Sequence, residues 1–329
     1  MKKVKLSDIA QRANVTPITV SRALSKPEKV KPETRERIRK LAQEMGYIPN
    51  MMAKGLKSSA KTIGVIIPSI MNPFFSNAVR TIVKTANEKG YNCLFFTSDE
   101  SGAMEENAVN TLLSYNVDGL IISVISEDKN YAPTYFDKLE SLGIPVILFD
   151  RNIDVPHTCG VFLDNVNSGY QLGKEIVTKN YNHILIVSGS THSRVANARL
   201  NGLKIAFSET KYTAQIDIIH ADFNTELSKT LVDQFLKTSK PDAIVGLNNQ
   251  ITLGALEACT LNGYKLSVDM QFYSIDEIPT SKNFGISIPC IKHDLKELAY
   301  QAVTQLIRAI ESDPYATFSD IIIRGSIEN

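Results

Sequence analysis

From residue 62 onward, short apolar segments rich in Val, Ile and Phe alternate with longer segments whose apolar residues recur at spacings of three and four. This alternation predicts parallel sheets, because each connection between parallel strands needs a helix that covers one face of the sheet. We expect strands at 63–67, 93–97, 119–123 and 146–149, and a second series at 160–163, 184–188, 215–219, 243–247 and 271–275, with a further strand-like segment at 321–323. We expect helices near 75–88, 104–115, 135–141, 168–179, 196–209, 225–236 and 252–262. The two series predict an α/β core of two doubly wound parallel-sheet subdomains, with a ligand cleft beyond the carboxyl ends of the strands.

Composition narrows the class of protein. The chain has 329 residues, of which 43% are hydrophobic, enough for two or three folded domains. Its four cysteines lie far apart and form no C-x-x-C motif, which argues against a zinc site and indicates a reducing compartment. The N-terminal residues are charged and polar, unlike a signal peptide, and no apolar run approaches the roughly 18 residues of a membrane span. We therefore expect a cytoplasmic protein with no membrane segment, metal or cofactor.

The charge is unevenly distributed along the chain. Residues 1–60 carry 14 Lys and Arg against five Asp and Glu, a net charge of +9. Residues 61–329 carry 22 Lys and Arg against 30 Asp and Glu, a net charge of −8. A small basic segment ahead of an acidic body indicates a module that binds a polyanion, the alternative being a solvated basic surface without a partner.

Three short helices are expected in the basic segment. The first spans residues 6–13 and is followed by Asn14, which tolerates the left-handed conformation of a tight turn. Thr16 and Pro17 are a favourable N-cap and first residue for a second helix, and Pro32 opens a third that ends before Gly46. Two short helices joined by a tight turn predict a helix-turn-helix whose second helix enters the major groove, although a plain three-helix bundle has a similar pattern.

Three stretches of the same segment form a specific pattern: Leu6-Ser7-Asp8-Ile9-Ala10, Val15-Thr16-Pro17-Ile18-Thr19-Val20-Ser21-Arg22-Ala23-Leu24 and Gly46-Tyr47-Ile48-Pro49-Asn50. They resemble the head of the lactose-repressor/galactose-repressor (LacI/GalR) family of bacterial transcription regulators, and the resemblance continues through essentially the whole chain. It implies a DNA-binding headpiece at 1–49, a hinge at 50–60, and a periplasmic-binding-protein-like core at 61–329 that binds an effector and dimerises. Within that core we expect an N-subdomain at about 61–160 plus 291–318 and a C-subdomain at about 161–288 plus 320–329. The chain then crosses between them near 159–162, 287–292 and 318–321.

The resemblance also implies which residues contact DNA. In the headpiece they are Ser7, Thr16, Pro17, Ile18, Thr19, Ser21 and Arg22, and in the hinge they are Asn50, Ala53 and Leu56. The guanidinium of Arg22 can pair with guanine, and the hydroxyls of Thr16, Thr19 and Ser21 can reach phosphates. Leu56 matches an apolar side chain that wedges into the minor groove and bends the duplex, the alternative being a flexible linker.

Two residues of the headpiece depart from the family pattern. Ile18 offers only apolar contact, for example with a thymine methyl group, so operator preference cannot be carried over from relatives that have a polar residue there. Lys31 replaces the usual Ser or Thr cap of the third helix, which leaves the start of that helix less well satisfied.

Nine candidate ligand residues lie on loops after the expected strands or match the family's binding positions: Asn72, Phe74, Asp150, Arg151, Arg199, Phe223, Asn248, Asp276 and His293. Carboxylates and amides that bind hydroxyls, a guanidinium fork and an aromatic face are what a polyhydroxylated ligand requires. Three alternatives remain: Arg151 only pairs with Asp150, Phe74 belongs to the core, or His293 is a satisfied surface histidine. Asn249 stands where many relatives carry an acidic residue.

Together these features predict a sequence-specific transcriptional regulator, most simply a repressor. We expect a homodimer on a pseudo-palindromic operator, controlled by a sugar, sugar acid or sugar phosphate in the cleft. The first alternative is a solute-binding protein of a sugar transport system, and a minor one is a regulator that binds a phosphoprotein. An enzyme is not expected, because no P-loop, G-x-S-x-G, H-E-x-x-H or glycine-rich dinucleotide motif is present.

Overall fold

The computed structural model describes residues 4–47, 61–128, 130–266, 268–279, 281, 285–312 and 318–328. The chain divides into two compact units, Met1–Ala60 and Lys61–Asn329, which we call the headpiece and the body. Among the described residues, no helix has both the length and the apolar character needed to cross a membrane.

The headpiece contains the three predicted helices, α1 (Leu6–Ala13), α2 (Pro17–Ser25) and α3 (Pro32–Glu44). The turns have the predicted chemistry: Asn14 has a φ of 52° after α1, and Gly46 has a φ of 64° after α3. The Thr16 hydroxyl accepts a hydrogen bond from the backbone N–H of Thr19, which caps α2. Lys31 makes no side-chain cap, as its departure from the family pattern predicts. The buried side chains that join the helices are Ile9, Ala10, Ala13, Val20, Ala23, Ile38 and Ala42.

The body alternates strands and helices. Strands β1 to β12 are, in chain order, Thr62–Ile67, Asn92–Thr97, Gly119–Ile122, Val146–Phe149, Cys159–Leu163, His183–Ser188, Gln215–His220, Ala243–Gly246, Gln271–Ile275, Cys290–His293, Ile321–Ile323 and Gly325–Glu328. Helices α4 to α11 are Pro73–Glu88, Gly102–Ser114, Tyr135–Ser141, Asn165–Ile176, Arg194–Glu209, Thr225–Leu236, Asn249–Leu261 and Leu295–Glu311.

These strands form two sheets, with the orders β11-β5-β4-β3-β1-β2 and β12-β10-β9-β8-β6-β7. Pairing is parallel except between β10 and β12, which is antiparallel. The two orders are equivalent, so that β1 to β5 correspond to β6 to β10. In each sheet the order reverses, between β1 and β3 and between β6 and β8, and the loops at the carboxyl ends of such strands open onto a ligand crevice.

The chain crosses between the subdomains later than predicted. Strand β5 pairs with β4 and β11 in the first sheet, so the first crossing is at Asp164 and residues 160–163 do not open the second series. Strand β10 belongs to the second sheet, which moves the second crossing to Asp294, and β11 and β12 lie on either side of a third crossing at Arg324. The subdomain boundaries expected from the sequence therefore lie a few residues too early in the chain. A short apolar strand fits either sheet, and only its long-range pairing decides which sheet it joins.

The sequence expectations also omit α11, β10 and β12. Helix α11 has 17 residues and packs Leu298, Ala302 and Leu306 against the first sheet. Its apolar residues recur at spacings of three and four, so the periodicity that indicated the other helices was present here as well and was overlooked. The four-residue β12 is an edge strand that carries no comparable signal.

Candidate functional site

The outer surface of α2 carries the residues predicted to face DNA bases. Pro17, Ile18 and Arg22 are exposed, and 64% of Ile18 is accessible to solvent. Val20 and Ala23, on the opposite side of the helix, are buried. An apolar side chain as exposed as Ile18 adds nothing to the headpiece core and is available to another molecule.

The hydroxyl residues predicted to contact DNA are Thr16, Thr19 and Ser21, which were expected to reach phosphates, and Ser7 of α1. The hydroxyl oxygens of Thr16 and Thr19 lie 2.9 Å apart and hydrogen-bond to each other, with Thr16 exposed and Thr19 half-buried. Ser21 is exposed, and the exposed Ser7 hydroxyl donates to Asp8 Oδ1 at 3.3 Å. The predicted hinge contacts, Asn50, Ala53 and Leu56, lie outside the described residues.

In the body, a cleft of about 390 Å³ lies between the two subdomains. Its volume is in the range of small-molecule sites, which is roughly 300–1,000 Å³. Eight of the nine predicted ligand residues line it: Asn72, Phe74, Asp150, Arg151, Arg199, Phe223, Asn248 and Asp276. Most of them follow strands or begin helices at the carboxyl ends of the two sheets, as the strand order predicts.

Arg199 of α8 is 3% exposed and is held by three groups. It donates from Nη1 to the backbone oxygen of Leu247 at 2.7 Å and from Nε to Asn165 Oδ1 at 2.8 Å, and its Nη1 lies 3.5 Å from Asp276 Oδ2. Burial alone would raise the pKa of Asp276, but the charge of Arg199 and the hydrogen bond from His293 outweigh it and hold that pKa below its ordinary value. Arg199 and Asp276 therefore form a buried ion pair at the cleft wall.

His293 is the ninth predicted ligand residue, and it lines a neighbouring cavity that shares Phe74 and Asp276 with the cleft. Its ring Nδ1 lies 2.9 Å from Asp276 Oδ1, and its Nε2 lies 3.0 Å from Ser168 Oγ. The His293 side chain is fully buried, so the alternative of a surface histidine is wrong. The structure places it behind Asp276, where it orients the carboxylate that faces the cleft.

Asp150 and Arg151 follow β4, and they do not form the ion pair considered above. Arg151 instead makes a bidentate pair with Glu100, at 2.8 Å and 2.7 Å, and donates to the backbone oxygen of Ile125 at 3.0 Å. Burial works against the charged guanidinium, but Glu100 leaves the pKa of Arg151 above its ordinary value. Asp150 is 8% exposed, its Oδ1 has no hydrogen-bond partner among the described residues, and burial raises its pKa to about 7.

Several cleft residues have left-handed backbone conformations. Asp99, Asp150, Asp222, Phe223 and Asp276 have φ values of 44°, 65°, 46°, 55° and 69°. Non-glycine residues adopt this region at a cost of roughly 1 kcal/mol or more, and such strain concentrates at binding sites. The strained turns aim these side chains into the cleft from the ends of β2, β4, β7 and β9.

Asparagines at helix starts connect the two sides of the cleft. Asn72 Oδ1 accepts from the Phe74 N–H at 2.9 Å, and Asn248 Oδ1 accepts from the Ile251 N–H at 2.9 Å, so each caps the helix that follows. Asn249 donates from Nδ2 to Asn72 Oδ1 at 3.3 Å across the cleft. Asn72 and Asn248, which the sequence predicts as ligand contacts, therefore also have a structural function as helix caps.

A second contact between the subdomains is built on Glu127, in the loop after β3. Its Oε2 accepts hydrogen bonds from Ser193 Oγ and from the Val195 N–H, both at 3.0 Å, at the start of α8. Beside it, Arg194 makes a bidentate pair with Asp154 at 3.0 Å and 2.7 Å. We call these contacts the Glu127 latch, because they join the subdomains next to the cleft.

Three aromatic rings border the cleft, those of Phe74, Phe75 and Phe223, and Phe75 is only 4% exposed. Phe74 is 6% exposed and its ring centroid lies 5.0 Å from that of Phe75 and 6.4 Å from that of Phe149, so it belongs to the core as well as to the cleft wall. Phe223 is half-buried and packs against the core of the C-subdomain, with one side on the cleft. Only Phe223 therefore has the exposure expected of a stacking surface.

Comparison with known families agrees with this architecture. Residues 5–50 match the bacterial regulatory proteins of the lacI family, and residues 63–313 match the periplasmic binding protein domain. The chain belongs to the LacI family. Among similar LacI-family proteins are catabolite control protein A of Staphylococcus xylosus, 28% identical over 83% of this chain and 82% of the relative, and the HTH-type transcriptional repressor CytR of Escherichia coli strain K12, 26% identical over 98% and 95%.

Solved structures show the same fold. The lac repressor dimer bound to operator and the anti-inducer ONPF superposes with a TM-score of 0.84, at 24% identity over 100% of this chain and 98% of that one. The transcriptional regulator CelR in complex with cellobiose superposes with a TM-score of 0.72, at 19% identity over 99% of each chain.

Several residues that line the cleft of this LacI-family regulator were not expected from the sequence. Asp99 and Glu100 follow β2, Asp222 follows β7, and Glu226 and Gln250 begin nearby helices. The rule that ligand residues follow strand ends would have found the first three. Glu127 lies in a loop without a regular pattern, and no sequence signal indicates its partners.

Proposed function

We propose that this LacI-family regulator is a repressor that binds a pseudo-palindromic operator as a homodimer, and that a sugar in the cleft changes its operator affinity. The observation that supports this most is a cleft lined by side chains of both subdomains and bridged by contacts between them. A ligand bound there favours one relative position of the subdomains, and linkage couples that preference to DNA affinity. Such a repressor acts in the bacterial cytoplasm, where the DNA lies.

The solved relatives support a sugar as the effector. CelR binds cellobiose, a regulator from Enterococcus faecium binds ribose, and Cra of Pseudomonas putida binds fructose 1-phosphate. In this chain both cleft arginines already have carboxylate partners, Glu100 for Arg151 and Asp276 for Arg199. Electrostatics therefore favours a sugar without an acid or phosphate group over a sugar acid or a sugar phosphate.

A solute-binding protein of a transport system is the second candidate, because the body matches the periplasmic binding protein domain. The exposed, capped α2 and the basic composition of the headpiece oppose it. A transport protein would bind its sugar and show no sequence preference among DNA duplexes.

The test uses the full-length protein. A pool of random duplexes is enriched for binders, and the affinity of the selected duplex is then measured by fluorescence anisotropy with and without each sugar of a panel. We expect one duplex to bind at least about a thousandfold more tightly than random DNA, and one sugar to change that ratio. Equal, salt-sensitive affinity for every duplex would contradict the proposal.

Two variants separate the functions of the headpiece and the body. Arg22→Ala should weaken binding to the selected duplex by about 5- to 150-fold and leave sugar binding unchanged. Asp276→Asn should abolish the sugar response and leave the duplex bound. Leu56→Ala should weaken specific DNA binding much more than non-specific DNA binding. An equal loss of both would contradict the insertion of Leu56 into the minor groove.

A further inference from the structure

The two carboxylates Asp150 and Asp276 occupy equivalent positions on facing subdomains. The strand orders make β4 equivalent to β9, and each of these strands is followed by one aspartate in the left-handed conformation, with φ values of 65° and 69°. Both residues line the cleft and both are at least nine-tenths buried. The cleft therefore presents two similar carboxylates from opposite sides.

Their partners within the chain differ. Asp276 has His293 at 2.9 Å and Arg199 at 3.5 Å, whereas Asp150 Oδ1 is buried and has no hydrogen-bond partner among the described residues. A buried polar atom without a partner is unfavourable and calls for an explanation. Because Asp150 lines the cleft, the bound ligand is the natural source of the missing donor.

The surrounding charges indicate what kind of donor suits this position. Six acidic residues line the cleft, namely Asp99, Glu100, Asp150, Asp222, Glu226 and Asp276, against two basic residues, Arg151 and Arg199. Both guanidinium groups are engaged by other carboxylates. The excess of negative charge attracts cations and repels anions, and the low dielectric of a partly enclosed cleft strengthens the effect.

We propose that the effector is a sugar with a basic nitrogen, an amino sugar, and that its ammonium group binds Asp150. This inference rests on the proposed function of the cleft as an effector site and names the ligand class. An ammonium group supplies the donor that Asp150 Oδ1 lacks and offsets the excess negative charge, whereas a hydroxyl group supplies only the donor. The hydroxyl groups of the same sugar have Asn248 and Asp276 as partners on the other wall.

The ionisation of Asp150 is consistent with this assignment. Burial raises the pKa of Asp150 to about 7, the charges of Arg199 and Arg151 oppose the rise, and those of Glu127 and Asp276 add to it. A cation beside the carboxylate favours its charged form. An amino sugar should therefore bind more weakly below pH 6, where Asp150 is protonated.

The experiment compares matched sugars on the full-length protein by isothermal titration calorimetry at pH 7.5. The probes are glucosamine, galactosamine and mannosamine, each beside its parent sugar and its N-acetyl derivative, which keeps the nitrogen and removes the charge. We expect at least one amine to bind at least tenfold more tightly than both of its neutral partners. Asp150→Asn should bring that ratio close to one. Asp137→Asn, which removes an exposed carboxylate of α6 that does not line the cleft, is the control and should change the ratio less than twofold.

If no amine binds more tightly than its neutral partners, or if Asp150→Asn keeps the preference, the inference is overturned. The effect on DNA distinguishes this failure from failure of the proposed function. A neutral sugar that binds and changes operator affinity overturns the amine inference and leaves the proposed function intact. An amine that binds through Asp150 without changing DNA affinity supports the ligand class and contradicts the repressor mechanism.

Discussion

Gly189 lies directly beneath the ring of Phe223, and a methyl group at Gly189 would stand 2.4 Å from Phe223 Cζ. This separation is far inside van der Waals contact, so only glycine allows the ring its present position. The contact follows from a close approach between the loops after β6 and β7 at the edge of the cleft.

Gly189→Ala should therefore displace the Phe223 ring and weaken ligand binding by about fivefold, the loss of roughly 1 kcal/mol of aromatic contact. Calorimetry with the effector found in the screen measures the change. Gly102→Ala is the matched control, because its methyl group would lie at an ordinary 3.5 Å from Ile125. Unchanged ligand affinity in Gly189→Ala would exclude Phe223 as a stacking surface.

Loss of the Glu127 latch should open the body. Glu127→Ala removes the acceptor of the Ser193 hydroxyl and of the Val195 N–H, and hydrogen bonds to charged groups contribute about 1.5–3 kcal/mol each. We expect a larger radius of gyration for the ligand-free variant in small-angle X-ray scattering, and recovery of the wild-type value when ligand is added. Glu88→Ala, which removes an exposed carboxylate 3.9 Å from Lys84 Nζ, is the control and should leave the radius unchanged.

Arg199→Met should strongly destabilise the body. The variant leaves Asp276 without its guanidinium partner and the Leu247 carbonyl without a donor, and breaking a buried ion pair costs about 3–5 kcal/mol. Urea unfolding followed by circular dichroism measures the loss. The double variant Arg199→Met/Asp276→Asn should recover part of it, because the uncompensated charge is gone, and a single-variant loss below about 1 kcal/mol would contradict the buried pair.

Asp150 should make the body less stable as the pH rises. Its pKa is raised from an ordinary 3.8 to about 7, so below pH 4 it is neutral in both folded and unfolded chains. Between pH 4 and 7 only the folded chain keeps the proton, so the free energy of unfolding falls with pH across this window, by up to about 4 kcal/mol. In urea unfolding, the free energy of unfolding of Asp150→Asn should increase relative to that of the wild type as the pH is raised from 4.5 to 7.5. A difference that stays constant over this range would contradict the raised pKa of Asp150.

Local sequence signals were sufficient to predict the three helices of the headpiece and where they end. Asn14, Thr16 and Gly46 mark helix ends through their own backbone preferences, and the apolar residues of each helix recur at a spacing that only a helix places on one face. The same holds for most strands of the body, since a run of β-branched residues between turn residues favours a strand wherever it lies. These features depend on neighbours within a few residues along the chain, so the sequence contains them directly.

The long-range arrangement was decided by the tertiary structure. Strands β5, β10 and β11 have compositions that suit either sheet, and only their pairing places the crossings at Asp164, Asp294 and Arg324. In the cleft, the sequence alone pointed to Asp150, Arg151 and Asp276. It gave no sign that Glu100 pairs with Arg151, or that Asp150 Oδ1 has no hydrogen-bond partner within the described part of the chain. The residue types that could bind a ligand are a property of the sequence, whereas which carboxylates are neutralised depends on distances between segments far apart in the chain, and these exist only once the two sheets have packed.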